Sequence, residues 1–191
     1  MSTQALDDTG AGTGSSTTGA RRLVLLRHAK SSWGEDLPDA QRPLSERGRW
    51  DALEAGRWLV EHVGRPDLVL CSTAVRTRQT WARVTEAAPD LLGTVPVRFE
   101  HAIYEAWSDT LLDLVRALPT EVVTAVLVGH GPGLPDLAER LNRVTGHGPV
   151  GRYRTSGTAV FAVTGAWADL GPATTTLTAY AVPRASRAPG S

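Results

Sequence analysis

The 191-residue chain is poor in several things, and each shortage narrows what it can be. It has one cysteine, Cys71, so no internal disulfide can form, and a reducing, cytoplasmic setting is the expectation. Cys71 closes a short apolar run, a place that suits a buried structural thiol better than a nucleophile. Neither sign of charge is in excess, with Lys+Arg and Asp+Glu at 20 each. A general nucleic-acid or membrane-surface role would want a basic surplus, so neither partner is expected. No apolar run approaches the roughly 20 residues that span a bilayer. Residues 1–20 are rich in Gly, Ser, Thr and Ala and have no apolar core. They read as a disordered tail and not as a secretory signal. The stretch 183–191 has the same look, which leaves one folded domain over 21–182, a length suited to a single core.

What is present is an alternation of short apolar runs with longer amphipathic stretches. Leu23–Leu26, Leu68–Cys71, Val95–Phe99, Val122–Val128, Thr158–Val163 and Thr174–Ala181 read as strands. Between them, helices are expected over 46–62 (capped by Ser45, stopped by Gly64), 74–88 (capped by Ser72 or Thr73), 109–118 (capped by Ser108) and 134–142. The alternation predicts an α/β fold, a three-layer α/β/α sandwich on a mainly parallel central sheet. In such folds ligands bind outside the carboxyl ends of the strands. Arg27 and His28 follow the first strand, Ser72, Thr73 and Arg76 the second, and His130 the fourth.

Two arginines on one rim make an anion pocket, because each guanidinium presents a fork of donors that fits phosphate or carboxylate. A histidine there can attack phosphorus if one ring nitrogen is unprotonated, and a second, if charged, can steady the equatorial oxygens. Zinc is the rival use of two histidines. HExxH and CxxC spacings are missing, and two arginines would repel the ion, so no metal and no cofactor are expected. Taken singly, each of these residues is more often structural than functional; their joint placement at strand ends is what raises the reading.

The segment Leu23–Trp33 (LVLLRHAKSSW) resembles the signature of the histidine phosphatase superfamily, which also holds the cofactor-dependent phosphoglycerate mutases. Its Arg-His-Ala-Lys form resembles the short SixA-type phosphohistidine phosphatase branch. The block Cys71–Thr80 is similar to the family's S-x-A-x-R-T-x-x-T, and Leu127–Leu134 to its VGHNPGL, with Gly131 in place of Asn. The spacer Arg42-Pro43-Leu44-Ser45-x-x-Gly48 also fits. The resemblance implies that His28 is the nucleophile, that Arg27, Arg76 and His130 bind the phosphoryl group, and that a carboxylic acid, best matched by Glu105, protonates the leaving group. Asp109 is the runner-up for that acid. Ser31 is a further phosphate-binding candidate, and Trp33 or Trp107 could wall the entrance.

Two departures bear on substrate. Ala29 stands where many members have Gly, and Gly34 where many have Asn, which tells against a mutase-type sugar-phosphate pocket. The 77–129 segment is largely consumed by helix and strand, leaving little for a lid. An open site suits a bulky substrate, so the expected partner is a phosphorylated protein or, less simply, a small phosphorylated metabolite. A mutase-like phosphotransferase and a non-enzymatic phosphate-binding module are the alternatives.

Overall fold

A computed structural model describes residues 20–33, 36–143 and 153–186. The strands are β1 (Arg21–Arg27), β2 (Leu68–Ser72), β3 (Val97–Glu100), β4 (Thr124–Gly129), β5 (Thr158–Val163) and β6 (Thr175–Ala181). The helices are α1 (Glu46–His62), α2 (Val75–Thr85), the short α3 (Pro89–Leu92), α4 (Ser108–Arg116) and α5 (Gly133–Leu141).

All six strands form one sheet in the order β3-β2-β4-β1-β5-β6. β1 to β4 run parallel, while β5 lies antiparallel to β1, and β6 to β5. Alternation along β1 explains why the sheet needs cover on both sides. Leu23 and Leu25 pack with Leu111, Leu112 and Val115 of α4 and Leu134 and Leu137 of α5. Val24 and Leu26 face the other way, onto Ala55 and Leu59 of α1 and Trp81 and Val84 of α2. The result is the three-layer, mainly parallel sandwich that the alternation predicts. Cys71 lies in the second of these cores, and burial pushes its thiol up to about 12. No described helix is long and apolar enough to cross a membrane.

α1 has the predicted bounds. Ser45 Oγ accepts the N–H of Gly48 at 3.1 Å, and Gly64 takes a φ of +80° just past the helix end. α2 is shorter than its periodicity suggests. It stops at Thr85, and Pro89 opens α3 in its place. Its N-cap is Ala74 and not Ser72 or Thr73, since Ser72 still belongs to β2. Ser108 is likewise the first residue of α4 and not its cap, which is Trp107.

Packing continues beyond the expected boundary at Val182. Asp51, fully buried in α1, accepts hydrogen bonds from Arg184 Nη1 at 2.5 Å and from the Ala185 N–H at 3.2 Å. A tail beginning at 183 therefore does not describe this end of the chain. Residues 1–19 and 187–191 lie outside the described residues, as do Gly34 and His147.

Candidate active site

β1 ends at the carboxyl rim of the sheet and carries Arg27 and His28 there. The loop that follows is clamped from three sides. His28 N donates to Gly129 O at 3.0 Å, at the end of β4. Ala29 N donates to Thr80 Oγ1 of α2 at 3.0 Å. The backbone N and Oγ of Ser45, at the start of α1, both donate to Lys30 O, at 2.9 and 3.0 Å. Behind the loop, the Ser156 N–H is shared between Arg27 O and His28 O, each 3.1 Å away. Ser156 reaches both with a left-handed φ of 61°, an unusual value for a non-glycine residue.

His28 is 9% exposed, and its Nδ1 lies 2.8 Å from Ala29 O. A carbonyl can only accept, so Nδ1 carries the proton and Nε2 keeps its lone pair. Burial above all, helped by the charges of Arg76, Arg27 and Arg42, lowers the imidazole to about 4 despite the bond to Ala29. The ring is neutral at pH 7, the state that a nucleophile needs.

His130 sits beside it, with ring centroids 5.2 Å apart. Its Nε2 is 2.8 Å from Ser72 Oγ, which itself accepts the Ala74 N–H at 3.4 Å. With the Ala74 N–H on one Ser72 lone pair, the Ser72 hydroxyl can donate to Nε2, an arrangement that places the imidazole hydrogen on Nδ1. Desolvation, followed by the neighbouring His28 and Arg76, lowers this ring to about 3. At neutral pH the His130 ring is therefore neutral, not the cation that the sequence left open.

The two predicted arginines come from different elements, β1 and α2. Arg27 Nη1 is fixed by Tyr153 O at 2.6 Å. Its guanidinium lies against Gly131, where a Cβ would come within 3.1 Å of Cζ and Nη2. A side chain at 131 would have to share this space with the Arg27 guanidinium. Arg76, 7% exposed, gives Nη1 to Asp39 O at 2.7 Å and Nη2 to Asp39 Oδ2 at 2.9 Å. Three buried polar atoms on this rim have no hydrogen-bond partner among the described residues: Arg27 Nε, His130 Nδ1 and Ser156 Oγ. Buried polar groups are nearly always paired, so three orphans near one histidine mark a place for a polar ligand.

Sequence reasoning missed Asp39, Arg42, Tyr104 and Ser156. Tyr104 OH donates to Asp39 Oδ2 at 2.9 Å, and Arg42 Nη1 to Oδ1 at 3.0 Å. Burial alone would raise the Asp39 carboxyl, but hydrogen bonds from Tyr104, Arg76 and Arg42 and the Arg76 charge outweigh it and hold it below its ordinary value. Arg42 also reaches Ser31 Oγ at 2.9 Å and stacks 3.5 Å over the Trp33 ring. The i,i+3 spacing of Asp39 and Arg42 was a readable signal for that pair alone; the contacts to Arg76 and Tyr104 are tertiary.

The remaining candidates scatter. Ser31 is buried beside the nucleophile loop, its hydroxyl held by Arg42. Glu105 is exposed, has a left-handed φ of 55°, and makes no hydrogen bond or ion pair with a described residue. Asp109 pairs with Arg140 on the surface. His101 touches Thr73 Oγ1 at 3.3 Å, and His62 stacks on Trp58, so both have local partners. Trp33 and Trp107 are 83% and 67% exposed. Among the described residues, no three His, Cys, Asp or Glu side chains gather as a metal site would require.

Residues 23–131 match the profile of the histidine phosphatase superfamily (branch 1). Uncharacterized protein Rv1276c of Mycobacterium tuberculosis is 36% identical over 165 residues, covering 83% of this chain and all of the relative. A SixA protein of Nakamurella multipartitia superposes with a TM-score of 0.75 at 36% identity, covering 87% of this chain and 98% of the other. A SixA protein of Agrobacterium tumefaciens gives 0.70 at 29% identity, covering 87% and 100%.

Proposed function

The chain belongs to the histidine phosphatase superfamily, and from that premise we propose that it removes phosphoryl groups by way of phospho-His28, with a phosphorylated protein side chain as its substrate. The observation that carries this reading is the state of His28: neutral, its Nδ1 proton given to Ala29 O, its Nε2 lone pair free, and Arg27, Arg76 and Arg42 close enough to depress its pKa.

In the first step Nε2 of His28 attacks phosphorus in line with the leaving group. The bond from phosphorus to the substrate oxygen or nitrogen breaks, its electron pair leaves with that atom, and a proton is taken up there. Arg27, Arg76 and the N–H of His130 hold the equatorial oxygens, so charge is met by fixed donors around the buried His28 ring. Ser31, steadied by Arg42, lies on the border of that anion pocket. Glu105 is the proposed proton donor. Its left-handed backbone is the kind of strain that accompanies functional positions. In the second step water attacks phospho-His28 and returns a proton to the Glu105 carboxylate; the bond from Nε2 to phosphorus breaks with its electron pair going back to Nε2, and phosphate leaves. No step draws on a metal.

The preference for a protein substrate rests on openness. Trp33 and Trp107 stand exposed, and the described chain between Arg76 and His130 is taken up by elements of the sandwich. Phosphate release from p-nitrophenyl phosphate and from a phosphohistidine protein, with chelator present, tests the reading in wild type and His28→Ala. Turnover that survives chelator and vanishes in the variant is the expected result. Turnover abolished by chelator would overturn the mechanism, and labelling of the chain without turnover would leave a phosphate-binding module. Strong preference for a free sugar phosphate would replace the protein substrate with a metabolite.

A further inference from the structure

The first turn of α2 carries Arg76 into the site, and the same helix borders a groove on the outer surface. A cavity of about 460 Å³ is lined by Val75, Arg78, Gln79, Ala82 and Phe99. A second, of about 230 Å³, shares Gln79 and Ala82 and adds Arg49 and Arg83, so the two adjoin along α2. Val75 immediately precedes Arg76, so the groove and the site draw on the same turn of α2. Its floor is also tied to the nucleophile loop: Gln79 Oε1 accepts the N–H of Leu44, and Leu44 bridges to Ser31.

The lining has a definite chemistry. Phe99 sits on β3, the edge strand, and is 51% exposed, with the Arg78 guanidinium 5.4 Å from its ring centre. No carboxylate lines either cavity. Arg83 is paired with Glu86, but Arg49 and Arg78 are exposed and form no ion pair with any described carboxylate. In a chain whose charges otherwise cancel, an unneutralised cationic strip with an exposed ring at one end is a local, complementary feature.

We propose that this groove docks an acidic segment of the phosphorylated substrate protein, with one apolar side chain of that segment packed on Phe99 and its carboxylates on Arg78 and Arg49. The proposal rests on the phosphoprotein reading above and adds to it what the substrate must look like beside the phosphorylated residue. Arg76 and Arg27 would recognise the phosphoryl group, and the groove would recognise the flank. Paired charges of this kind favour the matched partner and penalise the mismatched one, in a salt-dependent way.

The test uses two phosphohistidine peptides with a common core, one flanked by Asp, Glu and Leu and the other by Lys and Leu, with p-nitrophenyl phosphate as reference. For wild type at low salt, kcat/KM is expected to favour the acidic flank by about tenfold or more, and the margin to shrink as salt is added. In the double variant Arg49→Glu/Arg78→Glu the preference should vanish or reverse, with hydrolysis of p-nitrophenyl phosphate unchanged. Phe99→Ala should cost severalfold on both peptides and leave the reference substrate alone. Equal hydrolysis of the two peptides by wild type would overturn the docking surface and leave the phosphatase reading standing. Turnover of p-nitrophenyl phosphate with neither peptide cleaved would overturn the phosphoprotein reading itself, and the surface with it.

Discussion

His28 combines a shielded position with a fixed tautomer, and both have measurable consequences. An unfolded histidine titrates near 6.5, whereas burial and the nearby arginines bring His28 to about 4. The free-enzyme acid limb of kcat/KM, corrected for substrate ionisation, should therefore lie near pH 4 and not near 6.5. Stability follows the same linkage. Between those two values the unfolded chain binds the extra proton, so stability falls as pH drops from about 6.5 towards 4 and levels off below. For His28 alone the loss is on the order of 3 kcal/mol, and a urea titration at pH 7 and pH 4.5, repeated on His28→Ala, would isolate it. Glu105 invites a different readout. If it supplies the leaving-group proton, Glu105→Gln should slow an alkyl phosphate by about 10²-fold and p-nitrophenyl phosphate far less, because nitrophenolate leaves without help. Equal slowing of both substrates would remove Glu105 from that role. The four clustered residues Arg27, His28, Arg76 and His130 were legible because each follows a strand within a recognisable block. Asp39, Tyr104 and Ser156 were not, since their partners are distant in sequence and only the folded chain brings them to the rim.

At the scale of elements, the site is held by how α1 and α2 meet the loop after β1. Gly48 has no room for a side chain, because a Cβ there would lie 2.0 Å from Lys30 O. Gly48→Ala should push the nucleophile loop away from α1, destabilising the fold by about 1–3 kcal/mol as overpacked sites do. Activity should fall by more than the folded fraction explains, which kcat measured well below the unfolding midpoint would reveal. An unchanged kcat would mean that α1 yields and the loop does not. The bounds of α1 could be read directly because its signals are local, a Ser45 cap and a Gly64 stop. α2 was misread at both ends for tertiary reasons. Its leading hydroxyl, Ser72, is claimed by His130, and the helical pattern beyond Thr85 belongs partly to α3. The threonines of the second block also turn out to be fasteners. Thr77 Oγ1 donates to Ser72 O at 2.9 Å, and Thr80 joins α2 to Ala29.

Across the whole molecule, the carboxyl-terminal segment is part of the fold through one buried charge. Asp51 is fully buried, and its other cationic neighbour, Arg47, is 3.7 Å away and largely exposed. Ending the chain after Pro183 should strand that carboxylate and cost on the order of 3 kcal/mol, seen as a lower urea midpoint. Arg184→Gln, which keeps the backbone in place, should lose a smaller share. No change in either variant would show that Arg47 and water suffice. The composition had suggested a tail here because no local pattern announces a pairing across more than 130 residues. One last property follows from Cys71, the single thiol of the chain, sealed beneath α2 and held protonated. A thiol-specific dye can react with it only when the inner layer opens. Each molecule thus carries its own clock for such openings, and every destabilising change considered above could be timed by dye uptake in the absence of denaturant.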